Sequence, residues 1–162
     1  MTSSSHDTDA KAIRLVVRSA DDVTMLSAFL QDGLIAGQDI HYDKVKKEVI
    51  MVIDRYRWEA DAERRERVLM GLRIGQVSGM QHKKLEPGKT GPGFYNLLNL
   101  AYVKEDDGRH MLQFTFSAGG ALRLTIEDLV MSAGDIAPPR PAIATPHHDD
   151  VTDDNSGDVS SK

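Results

Sequence analysis

Val49–Val77 reads VIMVIDRYRWEADAERRERVLMGLRIGQV, two apolar runs around a charged segment. Val49–Tyr56 is rich in β-branched residues, and Val68, Met70, Leu72 and Ile74 alternate with Gly71 and Arg73. The pattern predicts two strands joined by a charged connection. In Val49–Ile53 both parities are apolar, so that strand is expected to be covered on both faces. Arg55, Arg57, Arg64, Arg65 and Arg67 lie in or beside the connection with the chain's single tryptophan, Trp58. Asp54, Glu59, Asp61, Glu63 and Glu66 nearly neutralise them.

On the N-terminal side, Ile13–Arg18 is a short strand-like run. Ser19 with Asp22 three residues on is a capping-box pattern, Val23, Leu26, Leu30 and Leu34 then recur at helical spacing, and Gly33 is the expected stop. Ile40–Tyr42 reads as a strand turning back through Asp43–Lys47. On the C-terminal side, Gln81–Gly93 reads as a polar loop and Tyr95–Val103 as a strand. Leu112, Phe114 and Phe116 alternate with polar residues, Ala118-Gly119-Gly120 turns the chain, and Leu122, Leu124 and Ile126 alternate again. That is the strongest hairpin signal in the chain. Val77 breaks parity, with Gly75 as the expected bulge, and Asp128–Ala133 fits strand or helix equally. No helix pattern follows Gly33, so parallel crossovers are excluded. The expectation is an α+β domain: an antiparallel barrel or sandwich of about seven strands with one helix after the first strand.

With 40% apolar and 28% charged residues, the chain has the balance of a soluble globular protein. No apolar run approaches the ~18 residues of a membrane span, and residues 1–12 have no signal-peptide character. The absence of cysteine removes disulfides, thiolate zinc sites and a cysteine nucleophile, and fits the cytoplasm. Residues 138–162 carry four prolines at their start, then five Asp against Arg140 and Lys162. Composition predicts disordered tails at 1–11 and 138–162 around one domain spanning 12–137. Net charge is −5, and the tails hold most of it. The nearly neutral remainder is a poor footprint for non-specific nucleic-acid binding.

Motifs for bond chemistry are weak. Gly88-Lys89-Thr90 resembles the end of a phosphate-binding loop, but Lys83 stands where its first glycine belongs, and Gly91-Pro92-Gly93 follows instead of a helix. A flexible loop is the plainer expectation. His147-His148-Asp149-Asp150 has metal-ligand residue types without the spacing of a site. No G-x-S-x-G elbow is present. No cofactor, metal or catalytic set is expected. Asp32 at the helix C-terminus faces the negative end of the dipole, which calls for a positive neighbour such as Arg55 or Arg57.

At these residues a family resemblance enters. Leu30-Gln31-Asp32, then Arg55-Tyr56-Arg57-Trp58-Glu59, the arginine pair Arg64-Arg65, and the Gly-rich hairpin Ser117–Leu124 resemble domain of unknown function family 2948 of alphaproteobacteria. Asp54 stands where that family shows asparagine. The likeness covers Ile13–Ala137 and implies a small cytoplasmic bacterial protein without known activity or cofactor. The resulting expectation is a non-enzymatic domain that binds a protein partner or a second copy of itself. Its recognition face would contain Gln31, Asp32, Arg55, Arg57, Trp58, Glu59 and Arg65, because Trp and Arg dominate interface hot spots. The alternative is a nucleic-acid module using the arginines with Lys83, Lys84 and Lys89.

Overall fold

In the computed structural model, residues 12–142 are described. Along the chain come β1 (Arg14–Val17), α1 (Ala20–Leu30), β2 (Gly33–Ile35), β3 (Ile40–Asp43), β4 (Glu48–Tyr56), β5 (Glu66–Ile74) and β6 (Val77–Lys83). Then follow β7 (Tyr95–Lys104), β8 (His110–Phe116), β9 (Ala121–Ile126), β10 (Met131–Asp135) and β11 (Arg140–Pro141). Eleven strands and one α-helix thus lie among the described residues.

The strands form one antiparallel sheet in the order β1-β10-β5-β4-β2-β7-β8-β9-β6, with β3 also on β4 and β11 also on β5. The path is open, ending at β1 and β6, so the expected closed barrel of about seven strands is corrected. Both ends of the path nevertheless feed one core, which unites Val17 of β1 and Met131 of β10 with Leu122 and Leu124 of β9 and Val77 of β6. The sheet therefore curls over itself, and α1 adds Val23, Leu26 and Leu30 to the same cluster.

The expected elements that exist do so for the expected reasons. The Ser19 hydroxyl accepts from the Asp22 amide at 3.2 Å, and the Asp22 carboxylate accepts from the Arg18 amide at 2.9 Å. Those bonds satisfy donors at the helix start and hold the Asp22 pKa below its ordinary value, the Arg18 amide contributing most. β4 and β5 pair from Val49↔Ile74 to Tyr56↔Arg67, and β8 and β9 pair through Leu112↔Leu124 and Phe114↔Leu122.

The short and polar elements depart from the reading. The helix stops at Leu30, and Leu34 lies in β2, which bridges β4 at Asp54 and β7 at Tyr95–Leu97. Its spacing from Leu30 imitates a further helical turn. The passage is tight: a Cβ on Gly33 would lie 2.6 Å from Ile53 Cγ2 and 2.9 Å from the Leu30 carbonyl oxygen. β6 replaces the first residues of the expected polar loop; it pairs with β9 and breaks register between Val77 and Gly79, so the bulge lies there rather than at Gly75. Val49, Met51 and Ile53 are buried while Ile50 and Val52 are half-buried, so β4 is only partly covered on its second face. The ambiguous segment after Asp128 becomes β10, and β11 pairs with β5 at Arg140↔Arg67 and Pro141↔Glu66. The structured unit therefore runs past the expected boundary at Ala137. The expected tail at 1–11, and residues 143–162 of the expected tail at 138–162, lie outside the described residues.

Phe114 is wholly buried between β7 and β9. Phe114→Ala should lower the unfolding free energy by about 3–5 kcal/mol in urea melts. A loss below about 1 kcal/mol would place β8 outside the core.

Candidate functional site

Along β4 the inward parity runs Val49, Met51, Ile53 and then Arg55. Along β10 it runs Met131, Ala133 and then Asp135. β5 lies between them, with Arg55 opposite Val68 and Asp135 opposite Met70. The two strands thus deliver opposite charges to one corner of the core.

Arg55 is fully buried, and all five of its N–H donors have acceptors. Nε and Nη2 bind the Asp135 carboxylate at 3.1 and 2.9 Å. Nη1 and Nη2 bind the Glu59 carboxylate at 2.9 Å each, and Nη1 also donates to the Tyr56 carbonyl at 3.3 Å. The guanidinium carbon lies 5.6 Å from the Phe29 ring centroid, which brings in α1. The Asp135 carboxylate also accepts from the Ile13 amide at 2.9 Å, next to the start of β1. One guanidinium therefore ties β4, the β4–β5 connection, β10 and α1 together. Burial disfavours its charge, but the bonds to Glu59 and Asp135 outweigh this and hold its pKa above the ordinary arginine value. For Glu59, burial pushes the pKa up, yet Arg55, its own backbone amide and Arg57 pull it below the ordinary glutamate value.

The charge pairing continues outward. Arg57, also buried, lies 3.4 Å from Glu59 and pairs with Glu66, which meets Arg64 at 3.7 Å. Arg67 holds the Asp54 carboxylate at 3.2 Å, while Arg140 of β11 takes its second oxygen. The Arg67 guanidinium also donates to the Asp32 carbonyl at 3.3 Å. The cation at the helix end is thus Arg67, which meets the Asp32 backbone, and not the expected Arg55 or Arg57, whose guanidiniums bind Asp135, Glu59 and Glu66.

The expected recognition face is split by this arrangement. Arg55 and Arg57 point inward and are corrected to buried positions: Asp135 meets Arg55 inside the fold, while Glu59 and Glu66 reach the two guanidiniums from nearer the surface. Glu59 turns its side chain toward both. Asp32 is the left-handed residue after the helix, with φ 64°, and its amide donates to the Leu97 carbonyl at 2.8 Å. Arg65 is exposed with φ 47°, and its carbonyl accepts from the Ala142 amide at 2.7 Å. Gln31 and Trp58 remain as an exposed pair. The Trp58 indole donates to the Gln31 carbonyl at 3.1 Å, its ring meets Tyr56 edge-on at 4.8 Å, and it stays 37% exposed.

Gln31 also ends a cleft of about 410 Å³ between α1 and β7, lined by Thr24, Ser27, Ala28, Leu98 and Tyr102. Ser27 closes part of the strand edge there: its hydroxyl accepts from the Leu100 amide at 3.0 Å and donates to Asn99 Oδ1 at 3.2 Å. Leu98, at 43% exposure, leaves apolar surface at the cleft. Sequence reading missed Asp135 and this cleft. The parity of β10 carried a signal for Asp135, but nothing local linked it to Arg55. The Gly88-Lys89-Thr90 segment is pinned rather than loose: the Gly88 amide donates to Gly37 at 2.8 Å, and the Glu86 amide donates to the Tyr95 hydroxyl at 3.3 Å. Among the described residues no cluster of His, Asp and Glu is arranged to hold a metal ion, and His147–Asp150 lies outside them. No helix among them is long and apolar enough to cross a membrane.

The chain matches the family described as "Protein of unknown function (DUF2948)" over residues 13–148, and it belongs to that family. A search of curated proteins finds no match, and neither does a search of solved structures.

Asp135→Asn should cost about 3 kcal/mol in urea melts, since it leaves a buried guanidinium half unpaired. Arg55→Lys should cost a similar amount, because an ammonium cannot fork onto two carboxylates. Losses under about 1 kcal/mol for both would show that the cluster does not hold the corner together.

Folded Glu59 binds its proton less readily than unfolded Glu59. Its stabilisation is complete above the unfolded pKa of ~4.3 and is lost as pH falls through the lower folded value. Stability of the wild type should therefore drop below about pH 4, and Glu59→Gln, less stable at neutral pH, should show a flatter acid limb. Equal acid limbs in urea melts across pH 2.5–7 (roughly the range bracketing that pKa) would argue against the shift.

Proposed function

We propose that this chain is a non-enzymatic, cytoplasmic interaction domain whose partner is a protein. Its contact face is the exposed pair Gln31 and Trp58 with the cleft between α1 and β7. One observation carries the reading: the only tryptophan is held half-exposed by a hydrogen bond to the helix end, beside a concave surface with an exposed leucine. A large ring kept at the rim of a cleft gives contact area at low entropic cost, which is how interface anchors work. The absence of cysteine fits a reducing compartment. A nucleic-acid face is less well supported, since Arg55 and Arg57 are engaged inside the fold.

The test uses wild type, Trp58→Ala and Ala28→Arg as baits in cytoplasmic extract, with light scattering to detect self-association. Trp58→Ala should lower stability by about 1–2 kcal/mol, through the lost indole bond and ring contact, and stay folded. Ala28→Arg, at an exposed helix position lining the cleft, should fold normally. Both should lose the same captured protein, or the same dimer. Titration with that partner should move Trp58 emission to the blue. Capture unchanged in both variants would overturn the proposal, and capture abolished by nuclease or modest salt would favour nucleic acid.

A further inference from the structure

A second cleft, of about 490 Å³, lies on another part of the surface and is lined by Gly37, Lys84, Glu86, Lys89, Thr90, Gly91, Gly93 and Tyr95. The lining holds two lysines and a single carboxylate, Glu86, which Lys89 meets loosely, at 3.9 Å. Lys84 has no carboxylate within salt-bridge reach among the described residues. The backbone amides of Thr90, Gly91 and Gly93 make no hydrogen bond within the described chain. The Tyr95 hydroxyl accepts the Glu86 amide at 3.3 Å, which leaves its own proton free to donate.

The cleft is also preformed. The Tyr95 ring packs edge-on against Phe116 of the core at 6.2 Å, which fixes its hydroxyl. The Gly88 amide is bonded to Gly37 at 2.8 Å, and the Lys89 amide to Glu86 at 3.3 Å. Gly37 permits that closeness: a Cβ there would lie 2.7 Å from the Glu86 carbonyl oxygen and 3.1 Å from that of Lys89. Lys84 keeps a left-handed backbone at φ 57°, and its side chain crosses the turn at Gly119, where an added Cβ would be 3.2 Å from the ammonium nitrogen. A concave surface whose base is held by these bonds, with lysines and open amides at its edge, favours an anion over water.

We propose that this cleft binds a small phosphate-bearing ligand, with Lys84 and Lys89 meeting its charge and Thr90, Gly91, Gly93 and Tyr95 its oxygens. The volume, at the lower end of the usual range of roughly 300–1,000 Å³, suits a small molecule. This differs from a nucleotide-binding loop at a helix start, since β7 follows the glycines instead of a helix.

The experiment is a titration of the full chain, followed by amide chemical shifts, with three separate probes: inorganic phosphate, a nucleoside monophosphate and a single-stranded oligonucleotide. Wild type should show saturable shifts at Thr90, Gly91 and Gly93 with at least one of the two small phosphates. Lys84→Ala and Lys89→Ala should each weaken that binding at least tenfold while melting like wild type, because neither lysine supports the core. Lys46→Ala, an exposed lysine in the β3–β4 turn, should bind as wild type does. Non-saturating shifts, or equal affinity in all four proteins, would overturn the site. Binding of the oligonucleotide alone would overturn the small-ligand assignment and give these lysines to a nucleic-acid backbone.

Discussion

Everything at one corner of this fold depends on a guanidinium that has no contact with water. Arg55 keeps its charge inside the core because two carboxylates reach it from different directions, each with two hydrogen bonds. A buried ion pair of this kind is weak evidence for net stability, since desolvation offsets much of the attraction. Its effect on specificity is stronger. A slip of one residue in β4 would turn Arg55 outward and bring Asp54 inward, setting Asp54 and Asp135 together without their cation. The cluster therefore fixes the register of β4, β5 and β10, and through the Asp135–Ile13 bond it places the start of β1.

That corner also determines which groups are left for the surface. Since Arg55, Arg57 and Glu59 satisfy one another, the charged connection has little net charge to offer a polyanion. Its exposed large group is Trp58, held at the helix end by the Gln31 carbonyl. Left-handed backbone near this corner is local: Asp32 after α1 and Arg65 in the connection adopt it, and each has a backbone hydrogen bond that holds it there. Away from this corner, the lysines at the second cleft lie beside a loop held by one backbone bond to Gly37. The two concave surfaces thus differ in what lines them, one carrying Thr24, Ser27, Leu98 and Tyr102 with Gln31 at its end, the other Lys84, Lys89 and the loop glycines.

Reading by periodicity worked where neighbours along the chain share one environment. The helix start at Ser19, the β4–β5 pair and the β8–β9 hairpin follow from caps, alternation and turn glycines. It failed at short elements. β2 is three residues long, and Leu34 extends the helical spacing of Leu30 by accident. β6 is largely exposed, so its composition resembles a loop. β11 contains a proline and pairs only as an edge, against the end of β5.

The sequence by itself determined an antiparallel domain with one early helix, its family membership, and an arginine-rich connection carrying the only tryptophan. The parity of β4 even marked Arg55 as inward, since it continues Val49, Met51 and Ile53. Only the tertiary structure decided that this parity holds through a charged residue, because the partner that permits it, Asp135, is 80 residues away. It likewise decided that Gly37 closes the cleft around Lys84 and Lys89. Periodicity records how each residue meets the layer beneath it. It carries no record of which distant residue arrives there, and burial of a charge depends on that arrival.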